Sequence, residues 1–324
     1  MLPNIVAQNA EYNKLAFCLW ISKKVVCLQL IDSHLMHTNF PALVSRLLEL
    51  TEVAEVVEAE QLDWGLSGEL AGALCWPPEM LSIHGTVVAT RTSQTQRDHL
   101  AFQELRNFFS LSIHGERALV KSLERMLAEN SEGPIADYID VIRREEVRHM
   151  SWFQTFCNQF ADGPFLDRLV PFPNDKEDPT TDVVVFCQAM IFEALLDFFN
   201  SLMAKDERLH PLVREIHRLH HGEESRHLAF DRGIIQHWMA NLDCRFDANR
   251  MQQERSEIAD HLAGFVDFLF GALCSKDAYR AAGLENPHQV RREALSKGPT
   301  RIFHERALEA PLAFLRSQGL YSVA

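Results

Sequence analysis

One short sequence occurs twice in the chain, at residues 145–149 (Glu-Glu-Val-Arg-His) and again at 223–227 (Glu-Glu-Ser-Arg-His). Both copies lie in stretches whose apolar residues recur with helical periodicity. Side chains three positions apart project from the same face of a helix, so the second Glu of each copy lies beside its His. Carboxylate and imidazole groups together are ligands for iron and manganese. The repeat therefore indicates two halves of a metal site.

Two further glutamates, Glu104 and Glu193, each lie on an otherwise apolar helix face, one helix before a copy of the repeat. A buried carboxylate without a partner is costly, so a set of four indicates compensating cations. Four carboxylates balance two divalent cations when the histidines bind as neutral imidazoles. A Glu from each of two helices and a Glu-x-x-His from each of two others form the dinuclear site of ferritin-like bundles. The sequence thus predicts an all-α, ferritin-like four-helix bundle with additional flanking helices.

His220 adds a seventh candidate to this set. It lies four residues before Glu224 and seven before His227, so the three side chains share one helix face. A ligand at this position makes the two metal positions unequal, because one of them then has two imidazoles. The predicted metal ligands are Glu104, Glu146, His149, Glu193, His220, Glu224 and His227.

Which glutamate of each Glu-Glu pair is the metal ligand is open, since Glu145 and Glu223 also lie within reach of the histidine four residues later. The apolar stripe passes through the second Glu of the first pair, so the first Glu of each pair is interpreted as a charge on the flank of its helix. Arg148 and Arg226 are expected to form ion pairs or to face solvent.

Histidine ligands usually donate their second ring N–H to a carboxylate or a carbonyl oxygen. Asp197, four residues after Glu193, and Asp231, four residues after His227, are the candidates for this role. His217 is expected at the rim of the bundle or on its surface.

The remaining pattern divides the chain into three parts. Residues 1–90 form an N-terminal extension that packs on the bundle, 91–275 the metal-binding domain, and 276–324 a C-terminal helical segment of the same domain. Four prolines between 161 and 180 indicate a long crossover between two helix pairs. Helices of the second part are predicted over 92–112, 116–128, 134–160, 180–203, 211–239 and 256–273.

Composition narrows the possible partners and the compartment. The net charge of −13 argues against nucleic acids and anionic membrane surfaces. No apolar run approaches the roughly 18 residues that span a bilayer. The seven cysteines are widely spaced and lack a Cys-x-x-Cys motif, which suits reduced thiols. We therefore expect a cytoplasmic protein.

The sequence resembles the AurF-type di-iron N-oxygenases, the p-aminobenzoate N-oxygenase family. Three features carry the resemblance over residues 78–240: the seven-ligand pattern, the Gln103-Glu104 context and the chain length. The additional histidine separates this family from ferritin-like enzymes with six such ligands.

The resemblance implies a monooxygenase that uses O₂ to oxidise a primary amine to a hydroxylamine, and onward to nitroso or nitro products, in a biosynthetic pathway. It implies two iron ions, with manganese as the less favoured occupant, and an external electron donor. An arylamine, an amino acid and a carrier-bound amine are all open as substrates. A homodimer is expected by analogy.

Two other classes remain open at this point. Another ferritin-like dinuclear enzyme, such as a hydroxylase or an oxidase, would be favoured if His220 did not bind metal. The other class is a non-catalytic iron-binding bundle, for storage or for structure. Storage would require an assembled cage and far more than two irons per chain. The long irregular ends of this chain fit a cage poorly.

Overall fold

The computed structural model describes residues 40–65, 70, 72–166, 170–173, 178–296 and 299–322. The regular secondary structure of these residues is helical, without a β-strand, and one isolated bridge joins Leu74 to Leu209. The all-α class predicted from the sequence is confirmed. The helices are α1 (Phe40–Glu52), α2 (Val87–Arg91), α3 (Gln94–Glu129), α4 (Pro134–Phe160), α5 (Thr181–Met203), α6 (Pro211–Arg245), α7 (Ala248–Leu273), α8 (Lys276–Ala281), α9 (Pro287–Leu295), α10 (Pro299–Ala307) and α11 (Glu309–Ser317).

Helices α3 to α6 form a ferritin-like four-helix bundle. Helix α3 packs along α4, and α5 packs along α6. Residues 130–133 and 204–210 make short connections within these pairs, whereas the longer segment 161–180 joins the pairs. One long crossover between two helix pairs is the connectivity of this fold, as the prolines of that segment predicted.

Local signals fix where the helices begin. Ser93 caps α3 in a capping box with Gln96, and Pro134 opens α4 after Gly133, whose φ of 94° few other residues would adopt. Asp247 accepts a hydrogen bond from the backbone N–H of Arg250 at 2.9 Å. Because of this cap, α7 begins at Ala248 and not at the predicted residue 256.

Helix α3 is continuous where the sequence predicted a break between two helices. The His-Gly pair at 114–115 suggested a break between two helices, but α3 runs through it for 36 residues. A Cβ atom at Gly115 would lie 2.1 Å from Cζ of Phe192 on α5. The glycine therefore permits two helices to approach closely and does not end either of them.

The flanking helices cover the bundle from several sides. Helix α1 packs on α4 and α6, and it lies so close to Gly233 that a Cβ atom there would meet Phe40 at 2.7 Å. Helix α8 packs on α3. Residues 1–39 of the predicted N-terminal extension lie outside the described part of the chain, and the three proposed domain boundaries stay a prediction.

One described segment, Ala248–Ala281, has the length and apolar composition of a membrane span. In the structure 61% of its most apolar window is buried against the rest of the chain. A core helix with this degree of burial satisfies the same criteria, so the segment is weak evidence for a membrane span.

Candidate metal centre

Six of the seven predicted ligands converge inside the bundle, and Glu116 completes the cluster. The seven side chains are all buried and form two groups, within each of which the potential ligand atoms lie within 4.8 Å of one another. One group is Glu116, His149 and His220; the other is Glu146, Glu193, Glu224 and His227.

Glu146 and Glu224 lie between two imidazoles. Oε2 of Glu146 is 3.4 Å from Nδ1 of His149, and its Oε1 is 3.0 Å from Nδ1 of His227. Oε1 of Glu224 is 3.6 Å from the first of these nitrogens, and its Oε2 is 3.5 Å from the second. Each carboxylate thus presents one oxygen to each histidine, which is the arrangement of a carboxylate that can bridge two cations.

The two ends of the cluster differ in their nitrogen donors. At one end Nε2 of His220 lies 3.6 Å from Oε1 of Glu116, and the ring centroids of His149 and His220 are 4.5 Å apart. The other end has Glu193 with a single imidazole, His227. The position of His220 in the sequence predicted this inequality.

Glu104 does not join the cluster. Its carboxylate accepts a hydrogen bond from the backbone N–H of Ser82 at 3.0 Å and another from the Ser82 hydroxyl, which also lies 2.8 Å from the hydroxyl of Tyr279. Burial raises the pKa of Glu104 to about 7, although the bonds from Ser82 oppose the shift. The prediction that Glu104 is a metal ligand is therefore not supported by the structure, which places Glu116 in the cluster.

The position of Glu116 follows from the length of helix on each side of the turn. Antiparallel helices joined by a short turn bring residues equally far from the turn to the same level. Glu116 lies 13 residues before the end of α3, and Glu146 lies 12 residues after the start of α4. Glu104 is 12 residues further from the turn, about 18 Å along the axis at 1.5 Å per residue. The count requires a continuous α3, which the helices predicted over 92–112 and 116–128 did not provide.

Several polar atoms of the cluster are buried without a hydrogen bond to any described residue. They include both carboxylate oxygens of Glu116, both of Glu146, Oε2 of Glu193 and Nδ1 of His227. An orphaned buried acceptor costs free energy, and an orphaned buried charge costs more. Divalent cations would satisfy these atoms, so the donor set fits a dinuclear metal site.

The charges within the cluster shift one another's pKa values. Burial raises the pKa of Glu116 well above its usual value, and the neighbouring carboxylate of Glu146 adds to the shift. Burial alone would lower the pKa of His149, yet the nearby carboxylates of Glu146 and Glu223 raise it overall. Burial would raise the pKa of Glu224, but His220 and His227 together lower it overall. The carboxylates and the imidazoles of the cluster thus shift one another's pKa values in opposite directions.

The outer nitrogens of two histidines contact the first Glu of each repeat. Nε2 of His149 lies 2.8 Å from Oε2 of Glu223, and Nε2 of His227 lies 2.8 Å from Oε2 of Glu145. Each contact crosses between α4 and α6. Glu145 and Glu223 are therefore partners of the histidines, and their interpretation as flank charges was wrong.

The arginines of the two repeats bind the same two glutamates. Nη2 of Arg148 donates to both oxygens of Glu223 at 2.9 and 2.8 Å, and Nη2 of Arg226 donates to Oε1 of Glu145 at 2.7 Å. Both arginines form ion pairs, one of the two outcomes expected. The internal repeat of the sequence thus corresponds to a reciprocal set of contacts between two helices.

Neither predicted aspartate contacts a histidine of the cluster. Asp197 bonds to Nδ1 of His221, which is half-buried beside it. Asp231 is buried, and a hydrogen bond links it to Glu193. Both were candidates to accept from a histidine ligand; Glu223 and Glu145 have this role because they reach across from the facing helix.

Asn200 occupies the corresponding place beside His220. Its Nδ2 lies 2.7 Å from Nδ1 of His220, and its Oδ1 lies 2.6 Å from Nδ1 of His217. His217 is completely buried, which corrects its expected place at the rim. The apolar stripe of α5 runs through Asn200, so the sequence placed it on the inner face but gave no sign of this contact.

Aromatic rings surround the end of the cluster that holds His220. The ring of Phe153 lies 5.1 Å from that of His220 in an edge-on arrangement, and Phe109 stacks on Phe153 at 4.8 Å. Trp152 lies 5.1 Å from His149. These side chains exclude water, which strengthens every charge interaction inside the cluster.

A four-helix bundle with one long crossover and a buried set of four glutamates and three histidines defines a ferritin-like protein of the dinuclear-metal class. The sequence model of the family described as p-aminobenzoate N-oxygenase AurF matches residues 38–319. The chain belongs to this family, whose helical fold carries two irons and whose activity is that of an N-oxygenase. No curated protein matches the chain at a significant level.

Proposed function

We propose that the chain is a non-haem di-iron monooxygenase that uses O₂ to oxidise a primary amine to the hydroxylamine. The observation that carries the proposal is the pair Glu146 and Glu224, each of which presents one oxygen to His149 and the other to His227. The family supports N-oxygenation as the reaction.

The overall reaction consumes one O₂ and two electrons. One oxygen atom forms the new N–O bond, and the other leaves as water with two protons, so an external electron donor is required. Bound iron would supply the redox chemistry by which O₂ is reduced. Glu116, His149 and His220 would hold one ion, Glu193 and His227 the other, and the bridging glutamates both.

The protein's own part is to set geometry and to keep water out. Glu223 and Glu145 orient two imidazoles, and a fixed tautomer keeps the inner nitrogens free to bind metal. The rings of Phe109 and Phe153 exclude solvent on the side of His220.

The substrate is a small-molecule or carrier-bound amine, and the hydroxylamine is a biosynthetic intermediate that can be oxidised further to nitroso or nitro products. We further propose that the protein acts as a cytoplasmic homodimer and binds neither nucleic acid nor membrane. Four of the five described thiols are buried, and none of the five is in a disulfide, as expected in a reducing compartment.

The test is anaerobic loading with ferrous iron, followed by counting of metal per chain and addition of O₂ with candidate amines and a reductant. About two irons per chain and a hydroxylamine product support the proposal. Oxidation at carbon would indicate a different dinuclear oxygenase, and loading far above two irons would indicate storage. Failure to bind metal would overturn the metal centre.

A matched pair of variants tests which glutamate takes part. Glu116→Gln removes a charge from the cluster, whereas Glu104→Gln alters a buried glutamate of the same helix outside it. We expect Glu116→Gln to lose one tightly bound iron and Glu104→Gln to retain two. The opposite result would restore the ligand set predicted from the sequence.

A further inference from the structure

Asn200 on α5 joins two histidines of α6 that lie one helical turn apart. All three side chains are completely buried. The amide nitrogen of Asn200 faces Nδ1 of His220 at 2.7 Å, and its oxygen faces Nδ1 of His217 at 2.6 Å. The other ring nitrogen of His217, Nε2, has no hydrogen bond to a described residue and lies on a ring flanked by Phe108 and Phe109.

In this arrangement the hydrogen bonds run from His217 towards the cluster. His217 donates its Nδ1–H to the oxygen of Asn200, and the amide nitrogen of Asn200 donates to Nδ1 of His220. A neutral imidazole has one N–H, so His220 carries its proton on Nε2. That nitrogen faces the cluster, 2.6 Å from Oε1 of Glu224.

A metal ion at Nε2 of His220 requires both hydrogen bonds of Asn200 to have the opposite direction. The lone pair of Nε2 must be free, so the proton lies on Nδ1 and needs an acceptor. The facing group is Asn200, which can accept only if its amide turns its oxygen towards His220. The amide nitrogen then faces His217 and donates to its Nδ1, which leaves the proton of His217 on Nε2.

His217, Asn200 and His220 carry the same number of protons whichever direction the hydrogen bonds have. Each ring is neutral with a single N–H in either case, and burial lowers the pKa of His217 to about 3, so this ring stays uncharged near neutral pH. The exchange is a change of tautomer at two rings and a rotation of one amide.

We propose that His217, Asn200 and His220 form a hydrogen-bond relay whose direction is reversed by metal binding, with Asn200 as the residue that positions His220. This inference rests on the proposed metal centre but not on the reaction that occurs there. Its consequence is that Nε2 of His217, beside Phe108 and Phe109, is an acceptor without metal and a donor with it.

The tautomers are measured directly by nitrogen NMR of the full-length protein labelled with ¹⁵N-histidine, once with a chelator and once with zinc. Zinc is diamagnetic and binds carboxylate and imidazole ligands. With the chelator we expect the proton of His217 on Nδ1 and that of His220 on Nε2. With zinc we expect both assignments to be exchanged. A His217 tautomer that is the same in both samples would overturn the relay.

Substitutions of Asn200 provide the second measurement, the zinc affinity. Asn200→Leu removes the acceptor for Nδ1 of His220, and we expect zinc affinity to fall about 10- to 100-fold. Asn200→Asp can only accept, so we expect it to bind zinc more tightly than the leucine variant and to hold the proton of His217 on Nδ1 in both samples.

The control is Asn107→Leu, a buried asparagine of α3 whose amide donates to the backbone oxygen of Ala272 at 3.1 Å, outside the cluster. Equal zinc affinity of the two leucine variants would contradict the role of Asn200. Zinc binding with relay reversal but without amine oxidation would leave the relay standing and refute the proposed function. Absence of zinc binding by the parent protein would refute both.

Discussion

Nε2 of His149 on α4 lies 2.8 Å from Oε2 of Glu223 on α6, so a histidine of one repeat is oriented by a glutamate of the other. The converse contact between His227 and Glu145 has the same length. Each repeat thus provides the partner for the histidine of its counterpart, and the two helices cannot be displaced relative to each other without breaking both contacts.

Substitution of Glu223 by Gln tests this orientation. The amide keeps the shape of the side chain but loses the charge that Arg148 and His149 share. Partners of this kind typically affect metal affinity about 10- to 100-fold, and we expect a decrease in that range. Competitive titration with a metal indicator measures it. Glu124→Gln, on the exposed face of α3, is the control and should not change the affinity.

His220→Ala should weaken one of the two metal positions selectively. The substitution removes one of the two imidazoles at the end of the cluster with Glu116 and leaves the end with Glu193 intact. We expect cobalt titration to show one tight ion per chain in place of two. His221→Ala, one residue further on and hydrogen-bonded to Asp197, should still bind two. Two tight ions in the His220 variant would exclude this histidine as a ligand.

Gly115→Ala should destabilise the fold although alanine favours helices. The added methyl group would lie 2.1 Å from the ring of Phe192, and overpacking of this kind costs about 1–3 kcal/mol. Gly222→Ala is the matched control, because its Cβ meets no atom within 4 Å; we expect it to be stabilising by up to about 1 kcal/mol.

Urea unfolding of both glycine variants in the presence of a chelator separates packing from metal binding. The double variant Gly115→Ala with Phe192→Leu should recover part of the lost free energy of unfolding, because the smaller side chain makes room. A Gly115→Ala protein as stable as the parent would show that α3 and α5 do not approach as closely as the structure indicates.

Glu104 should make stability depend on pH. Burial raises its pKa from 4.5 to about 7, so between these values the folded protein binds a proton that the unfolded chain has released. The contribution of Glu104 to the free energy of unfolding is complete below pH 4.5 and is lost as the pH rises to 7. At 1.36 kcal/mol per pH unit, this loss is on the order of 3 kcal/mol. The Glu104→Gln variant lacks this titration.

The difference in free energy of unfolding between the parent and Glu104→Gln, measured with urea from pH 4.5 to 8 with a chelator present, isolates this one group. The parent should lose stability relative to the variant as the pH rises. Parallel curves would show that Glu104 is ionised in the folded protein across this range.

The sequence by itself determined the helical class, the crossover and six of the seven residues in the cluster. These features depend on local or periodic information: three-residue spacings that place Glu146 and His149 on one face, and prolines between 161 and 180 that exclude a helix. The family resemblance, predicted for residues 78–240, is shown over 38–319.

Only the tertiary structure decided between Glu104 and Glu116 and found the partners of the histidines. Both glutamates lie on the buried side of the same helix, and the choice depends on which level of α3 faces Glu146 on α4. The contacts of Glu145, Glu223 and Asn200 all cross between helices. Helix periodicity determines which face of a helix a side chain is on. The residue that the side chain contacts depends on how two helices are aligned along their length. Packing determines that alignment, as where Gly115 lies against Phe192.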